Sequence, residues 1–257
     1  MNSVFAIAGV TIKELVRRKD FYVLFVLTAL IALLMASIRI FKEDALRGIQ
    51  EICLLLIWLS GLMIALGTAA RQMPAERDNR TIFPLLAKPV TRWQVLLGKF
   101  LGCWLACGGA LVIFYVCFWL MSASNEHEWR VLNYFAAAWM QWMLLAVVIA
   151  MTLYGSFIFT APSSNGTVVL LLVVGILLLG QHLNQIASEM GGSIGAFLYA
   201  LLLALPQVEF FDAREMIFDR ALPDWRYCAA VSLYGLIYAA AFLVAAWIRF
   251  RRKALQT

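Results

Sequence analysis

The chain has 257 residues, 63% hydrophobic and 14% charged, with a mean hydropathy of +0.84. A soluble globule of this length needs a polar shell that such a composition cannot supply, so lipid is the expected solvent. The net charge of +6 is spread over the ends of apolar runs, which suits topology and anionic headgroups and excludes a nucleic-acid partner.

Residues 3–19 predict an amphipathic helix at the membrane interface, as an anchor or a docking element. Phe5, Ala8, Ile12, Leu15 and Val16 share one stripe, with Lys13, Glu14 and Arg17 off it. Lys13, Arg17, Arg18 and Lys19 stand too far in for a cleaved signal, so the next apolar run reads as an uncleaved first span. The predicted spans are Phe21–Ile38, Ile52–Ala70, Phe100–Met121, Tyr134–Phe159, Thr167–Leu183 and Tyr227–Ile248. Each approaches the roughly 20 residues that cross a bilayer, and the fifth, the shortest, can borrow from Phe159 to Asn165. The expected fold is an all-α integral membrane protein with six transmembrane helices, one domain over residues 1–257.

Orientation follows from the basic residues. Fourteen of the 21 Lys and Arg fall in the amino-terminal segment, the connection from Arg71 to Lys99 and the carboxy-terminal tail. That bias places both termini in the cytoplasm of a cell bounded by this (inner) membrane. The Asn165-Gly166-Thr167 sequon then faces the cytoplasm and is a chance match. On the outer side, the apolar run Ser193–Leu205 is too short to cross and predicts a re-entrant or interfacial helix between spans five and six, closed by Pro206. Glu209, Asp212, Arg214, Glu215, Asp219 and Arg220 follow as a solvated cap. Cys53, Cys103, Cys107, Cys117 and Cys228 lie within or beside apolar runs and read as small core residues, with no metal site expected.

The most informative stretch is Ala75–Gly102, AERDNRTIFPLLAKPVTRWQVLLGKFLG. Glu76, Arg77, Asp78 and Arg80 are charges just beyond the second span. Thr81–Lys88 is a short apolar piece interrupted by Pro84, and Pro89 ends any helix there. Thr91 and Gln94 have the spacing of a capping box that starts a new helix. Trp93 suits the headgroup layer, and Lys99 is expected to snorkel to the same level. The result is an elbow fixed to the root of span three, against which a soluble partner can push.

These residues resemble the signature of type-two ATP-binding-cassette (ABC) permeases. The matching positions are Glu76, Arg80, Thr81, Ile82, Leu86, Lys88, Pro89, Val90, Thr91, Arg92, Trp93, Leu97, Gly98 and Lys99. Thr11–Leu24 is similar to that family's entry helix and first span, and Leu203–Ile217 to its proline-marked outer segment. The resemblance implies an exporter of two permeases, a copy or a paralogue, and two P-loop ABC ATPase subunits that bind the ATP and Mg. It assigns coupling to Glu76, Arg77, Asp78, Arg80, Thr81, Lys88, Pro89 and Arg92, with Lys13, Glu14 and Arg17 as a second contact. It also implies that spans two and five line or gate the path.

The chain carries no G-x-x-x-x-G-K-[ST], its sole Gly-Lys, Gly98-Lys99, being followed by Phe100, so no cofactor is expected in the chain itself and it is not expected to be an enzyme. An ion-coupled carrier would need ionisable groups in the spans, which hold no Asp, Glu, Lys or Arg; Gln141, Gln181 and His182 are the strong polar groups there. An intramembrane enzyme would need a nucleophile and base or a metal cluster, yet the two histidines are His127 outside and His182. A non-transporting subunit that anchors or signals through an ABC-type ATPase is the alternative that this pattern leaves open.

Overall fold

The computed structural model describes residues 2–17, 26, 30, 33, 46–78, 91–126, 131–159, 161–189, 205–212, 214–218 and 223–253. Among these residues the regular structure is helical, with no strand. The elements are α1 (Asn2–Arg17), α2 (Leu46–Asp78), α3 (Arg92–Glu126), α4 (Val131–Gly155), α5 (Pro162–Glu189), a 3-10 turn (Val208–Phe211), α6 (Arg214–Phe218) and α7 (Trp225–Lys253). Among the described residues four helices are long and apolar enough to cross a membrane: α2, α3, α4 and α7, with mean hydropathies of 2.3, 2.1, 1.8 and 2.0. In α5 the apolar run described is Pro162–Leu178. The predicted first span lies outside the described residues except for Val26, Leu30 and Leu33, which are helical and exposed, and so does the run before Leu205.

Helix bounds differ from the predicted spans for local reasons. The second helix runs on past Ala70, because Ala69, Ala70 and Met73 are all buried against neighbours. Glu76, Arg77 and Asp78 are therefore its last turn and not loop charges. Pro74 lies inside the helix just before that turn and withdraws the amide that would have bonded the Ala70 carbonyl. The fourth helix stops at Gly155, short of Phe159, where a tight turn bonds the Ile158 and Phe159 amides to the Gly155 carbonyl at 2.9 and 2.8 Å. Pro162 then opens α5 at the position where its missing N–H costs least. Asn165, the sequon residue, is fully buried and donates from Nδ2 to the Thr152 carbonyl at 2.9 Å, so this hairpin uses it structurally.

The central helix is α4, packed against α2, α3, α5, α6 and α7. Its apolar window is 83% buried, against 28% for α7, which faces outward along Leu233, Leu236, Ile237, Val244 and Ile248. The stripe Ile52, Leu55, Leu59 and Met63 on α2 is exposed in the same way, as lipid-facing helix surfaces are. Cys53, Cys103, Cys107 and Cys228 are buried, as the sequence predicts, and Cys117 is half-buried.

Polar side chains inside the bundle join α4 to its neighbours. Gln141, 3% exposed, donates from Nε2 to the Ile57 carbonyl at 3.2 Å and accepts the Tyr115 hydroxyl at 2.8 Å, linking α2, α3 and α4. Trp104 and Trp142 stack at 4.5 Å, and each indole donates to the other's backbone carbonyl at 3.0 Å. Trp139 donates to the Ser232 hydroxyl of α7 at 2.9 Å. Nearer the far end, Ser122 accepts from Gln50 at 3.0 Å and from Tyr134 at 2.8 Å.

At that end the segment before α7 is folded into the bundle and is not simply a solvated cap. Val208, Phe211 and Ile217 are buried, the 3-10 turn packs on α4 and α5, and one Glu209 carboxylate oxygen is buried as well. Burial pushes the Asp212 carboxyl up, but its hydrogen bonds to Arg214 and the guanidinium charge outweigh that and hold it below the usual aspartate range. Asp224 starts α7 by accepting the Arg226 amide on Oδ1 at 3.0 Å.

The Gln141 junction makes a quantitative prediction. Gln141→Leu and Tyr115→Phe should each destabilise the purified protein by about 0.6–1.7 kcal/mol, the range for hydrogen bonds between membrane helices. Because both remove the Tyr115–Gln141 bond, the double variant should lose less than the sum of the two in denaturant titration. Strictly additive losses would count against the junction.

Candidate functional site

The end of the bundle that holds α1 gathers the residues around the Ala75–Gly102 elbow. At the root of α3 the predicted capping box forms: the Thr91 amide donates to Gln94 Oε1 at 2.9 Å, and the Gln94 amide to Thr91 Oγ1 at 3.4 Å. One turn outward, Arg92 donates to the Phe250 and Arg251 carbonyls at 3.2 and 3.3 Å, a cation at the last turn of α7. Trp93 meets Trp247 edge-on at 6.2 Å, and Phe157 from the α4–α5 turn packs on Phe250 at 5.2 Å. The ends of α3, α7 and the α4–α5 turn are thereby joined.

Lys99 departs from expectation. It does not snorkel outward; it is 4% exposed, and its ammonium donates to the Gln72 carbonyl at 3.1 Å and to Gln72 Oε1 at 3.0 Å. Two acceptors from the last turns of α2 give the buried charge the partners that burial demands. The root of α3 is fastened to α2 just before Pro74.

The amino-terminal helix docks on the same stretch of α3. A Cβ at Gly98 would stand 2.8 Å from Ile7 Cβ, and one at Gly102 2.7 Å from Thr11 Cβ, so only glycine admits α1 this closely. This is a small-xxx-small contact, the usual means by which apolar helices approach. It also sets which face is covered. Ala8, Thr11 and Leu15 are buried, whereas Phe5, on the apolar stripe predicted to face the membrane, is 61% exposed. The docked face centres on Val4, Ile7, Ala8, Thr11 and Leu15, and Phe5 lies at its edge.

Among the residues the resemblance singles out, Arg92 is half-buried in the α3–α7 junction, and Lys13 and Glu14 are exposed on α1. Arg17 ends α1, and Glu76, Arg77 and Asp78 end α2. Arg80, Thr81, Lys88 and Pro89 lie outside the described residues, in the segment joining α2 to α3. A family model described as ABC-2 family transporter protein matches residues 5–255, nearly the whole chain. The chain belongs to the ABC-2 transporter family. Among curated proteins none matches it.

In this ABC-2 permease, α2 and α5 face one another across a cleft of about 490 Å³. One wall is Met63, Leu66, Gly67, Ala70 and Arg71; the other is Pro162, Ser163, Gly166, Thr167 and Leu170. The docking glycines, the buried Lys99–Gln72 contact and this cleft were not picked out from the sequence. Gly98-x-x-x-Gly102 was the one readable signal, a spacing that marks close helix approach in an apolar segment.

Gly102→Leu should push α1 off α3, at a cost of roughly 1–3 kcal/mol for the overpacking. In the purified permease, limited proteolysis at Lys13 should accelerate while the remaining helices stay protected. Gly109→Leu is the control, since a Cβ there meets nothing within 4 Å. Unchanged protection of α1 in the Gly102 variant would show that docking does not depend on this approach.

Proposed function

We propose that this chain is the membrane-spanning subunit of an ABC exporter, in which separate P-loop ATPase subunits bind at the α1 end and drive the bundle. The observation that supports it is the junction at that end. The end of α2 is fastened to α3 by Lys99, α3 to α7 by Arg92, and α1 to α3 at Gly98 and Gly102. A displacement applied anywhere on this junction is passed to four helices at once.

On this reading the chain is one transmembrane domain with six spans, set in the cell (inner) membrane with both termini cytoplasmic. ATP and Mg are held by the ATPase. Glu76, Arg77, Asp78, Arg80, Thr81, Lys88, Pro89 and Arg92 form the main surface that meets it, with Lys13, Glu14 and Arg17 as the second. A second permease, a copy or a paralogue, completes the assembly, and α2 and α5 line the path between the two.

The test is reconstitution with the P-loop ATPase that copurifies. ATP-driven movement of a hydrophobic or amphipathic probe across the vesicle membrane is expected, and hydrolysis without movement would favour an anchoring or signalling subunit instead. Glu76→Lys should insert normally and uncouple hydrolysis from movement; transport at the parental rate in that variant would remove the coupling role. Orientation is checked with single cysteines at two exposed positions. Asp224→Cys should react with an impermeant maleimide on intact cells, and Lys13→Cys only after lysis.

A further inference from the structure

We infer that the α2–α5 cleft is a binding site for an amphiphile with an anionic head, a phosphate or carboxylate, and a hydrocarbon tail. The inference rests on reading the chain as a permease and names the class of molecule its cleft accepts.

The two walls run antiparallel. The end of α2 lies beside the root of α3 through Lys99 and Gln72, and α5 starts beside the end of α7 through Phe157 and Phe250. Arg71, Pro162 and Ser163 therefore stand at the mouth, and Met63, Leu66 and Leu170 stand farther from it along the two helices, Met63 at the lipid-facing edge. Polarity falls along the cleft in that order: a guanidinium and a serine hydroxyl first, the Thr167 hydroxyl next, then aliphatic side chains. The mouth is also where α5 begins, and the amides of a first helical turn favour negative charge. An anion at the mouth gains charge-assisted hydrogen bonds from Arg71, and the tail it carries covers Met63, Leu66 and Leu170.

The cleft is kept open by what its walls lack. Gly67 on α2 and Gly166 on α5 have nothing within 4 Å of where a Cβ would stand. An interfacial arginine serving topology alone needs no such gap beneath it. The structure also contains a contrast: a groove of about 340 Å³ between α3 and α4, lined by Leu105, Gly108, Gly109, Phe135, Trp139 and Trp142 among others, none of them charged. A lipid chain can lie there, but nothing in that lining selects a headgroup.

The experiment uses the purified permease in phosphatidylcholine nanodiscs without ATPase or nucleotide. Two photoreactive probes are compared, dodecyl phosphate and dodecanol each bearing a chain diazirine, with adducts mapped by mass spectrometry. The phosphate probe should label residues 63–71 and 162–170 about tenfold more than the alcohol, the scale of one charge-assisted contact. Arg71→Gln should reduce phosphate labelling to the alcohol level, and Gly166→Leu should exclude both probes from the cleft. Labelling of the α3–α4 groove should be the same in all proteins, which also reports that they are folded; Gly67→Leu replaces Gly166→Leu if the latter does not fold.

Displacement by phosphatidylglycerol added to the discs would assign the site to a bilayer lipid, and displacement by dodecanoate alone to a free amphiphile. Equal labelling by the two probes, or phosphate labelling indifferent to Arg71→Gln, overturns the proposal. Binding without ATP-driven movement in the reconstituted complex would instead fail the transport reading alone.

Discussion

Inside an apolar slab a polar group has no water to turn to, and this architecture depends on meeting that constraint within the protein. Gln141 shows how. It lies in the middle of the most buried helix, uses its amide nitrogen on the Ile57 carbonyl and its oxygen on the Tyr115 hydroxyl, and so sets α2 and α3 against α4. Apolar packing alone distinguishes helix faces weakly in lipid, because lipid tails are as apolar as leucine. A side chain that must be satisfied has far fewer acceptable registers. The paired indoles of Trp104 and Trp142 and the Ser122 cluster repeat the device at other depths, so α4 is positioned along its length.

The α1 end meets the same constraint with a charge. Lys99 stands between Gly98 and Gly102, the residues at which α1 docks on α3, and its ammonium is received by α2 at Gln72. Docking of α1 and fastening of α2 thus share one stretch of α3. A substitution that disturbs one is expected to be felt in the other.

Much of the fold was legible in the sequence because its signals are local. The Thr91–Gln94 capping box, the apolar runs behind α2, α3, α4 and α7, and the buried cysteines required only spacing and hydropathy. What was misjudged depended on a neighbouring helix. Lysine at the edge of a span normally extends to the headgroups, and Lys99 does not because Gln72 supplies two acceptors across the helix pair. The face that α1 docks on α3 includes Thr11, a residue whose polarity is hidden by its hydroxyl bond to the Ile7 carbonyl at 3.0 Å. The run of α2 through Pro74 was unreadable for the same reason, since burial of Ala70 and Met73 sustains the helix that proline would otherwise end. The cleft exists only between two helices far apart in sequence, and no single-chain pattern announces it.

The second helix brings these features together. Between Met63 and Asp78 it carries the wall of the cleft up to Arg71, the acceptor Gln72, the proline at 74 and the charged turn from Glu76 to Asp78. On the proposed reading a force on the charged turn acts on the same helix that lines the cleft, with Lys99 holding it at Gln72. Pro74 lies between the point of force and the point of attachment, where a missing backbone bond makes the helix easiest to bend. On the proposed reading the lysine contact serves as a fulcrum: bending beyond it is absorbed at Pro74, and what remains reaches Arg71 and Gly67 as a change in the width of the cleft. Coupling and substrate access then need no long relay through the membrane, because one helix spans the distance between them.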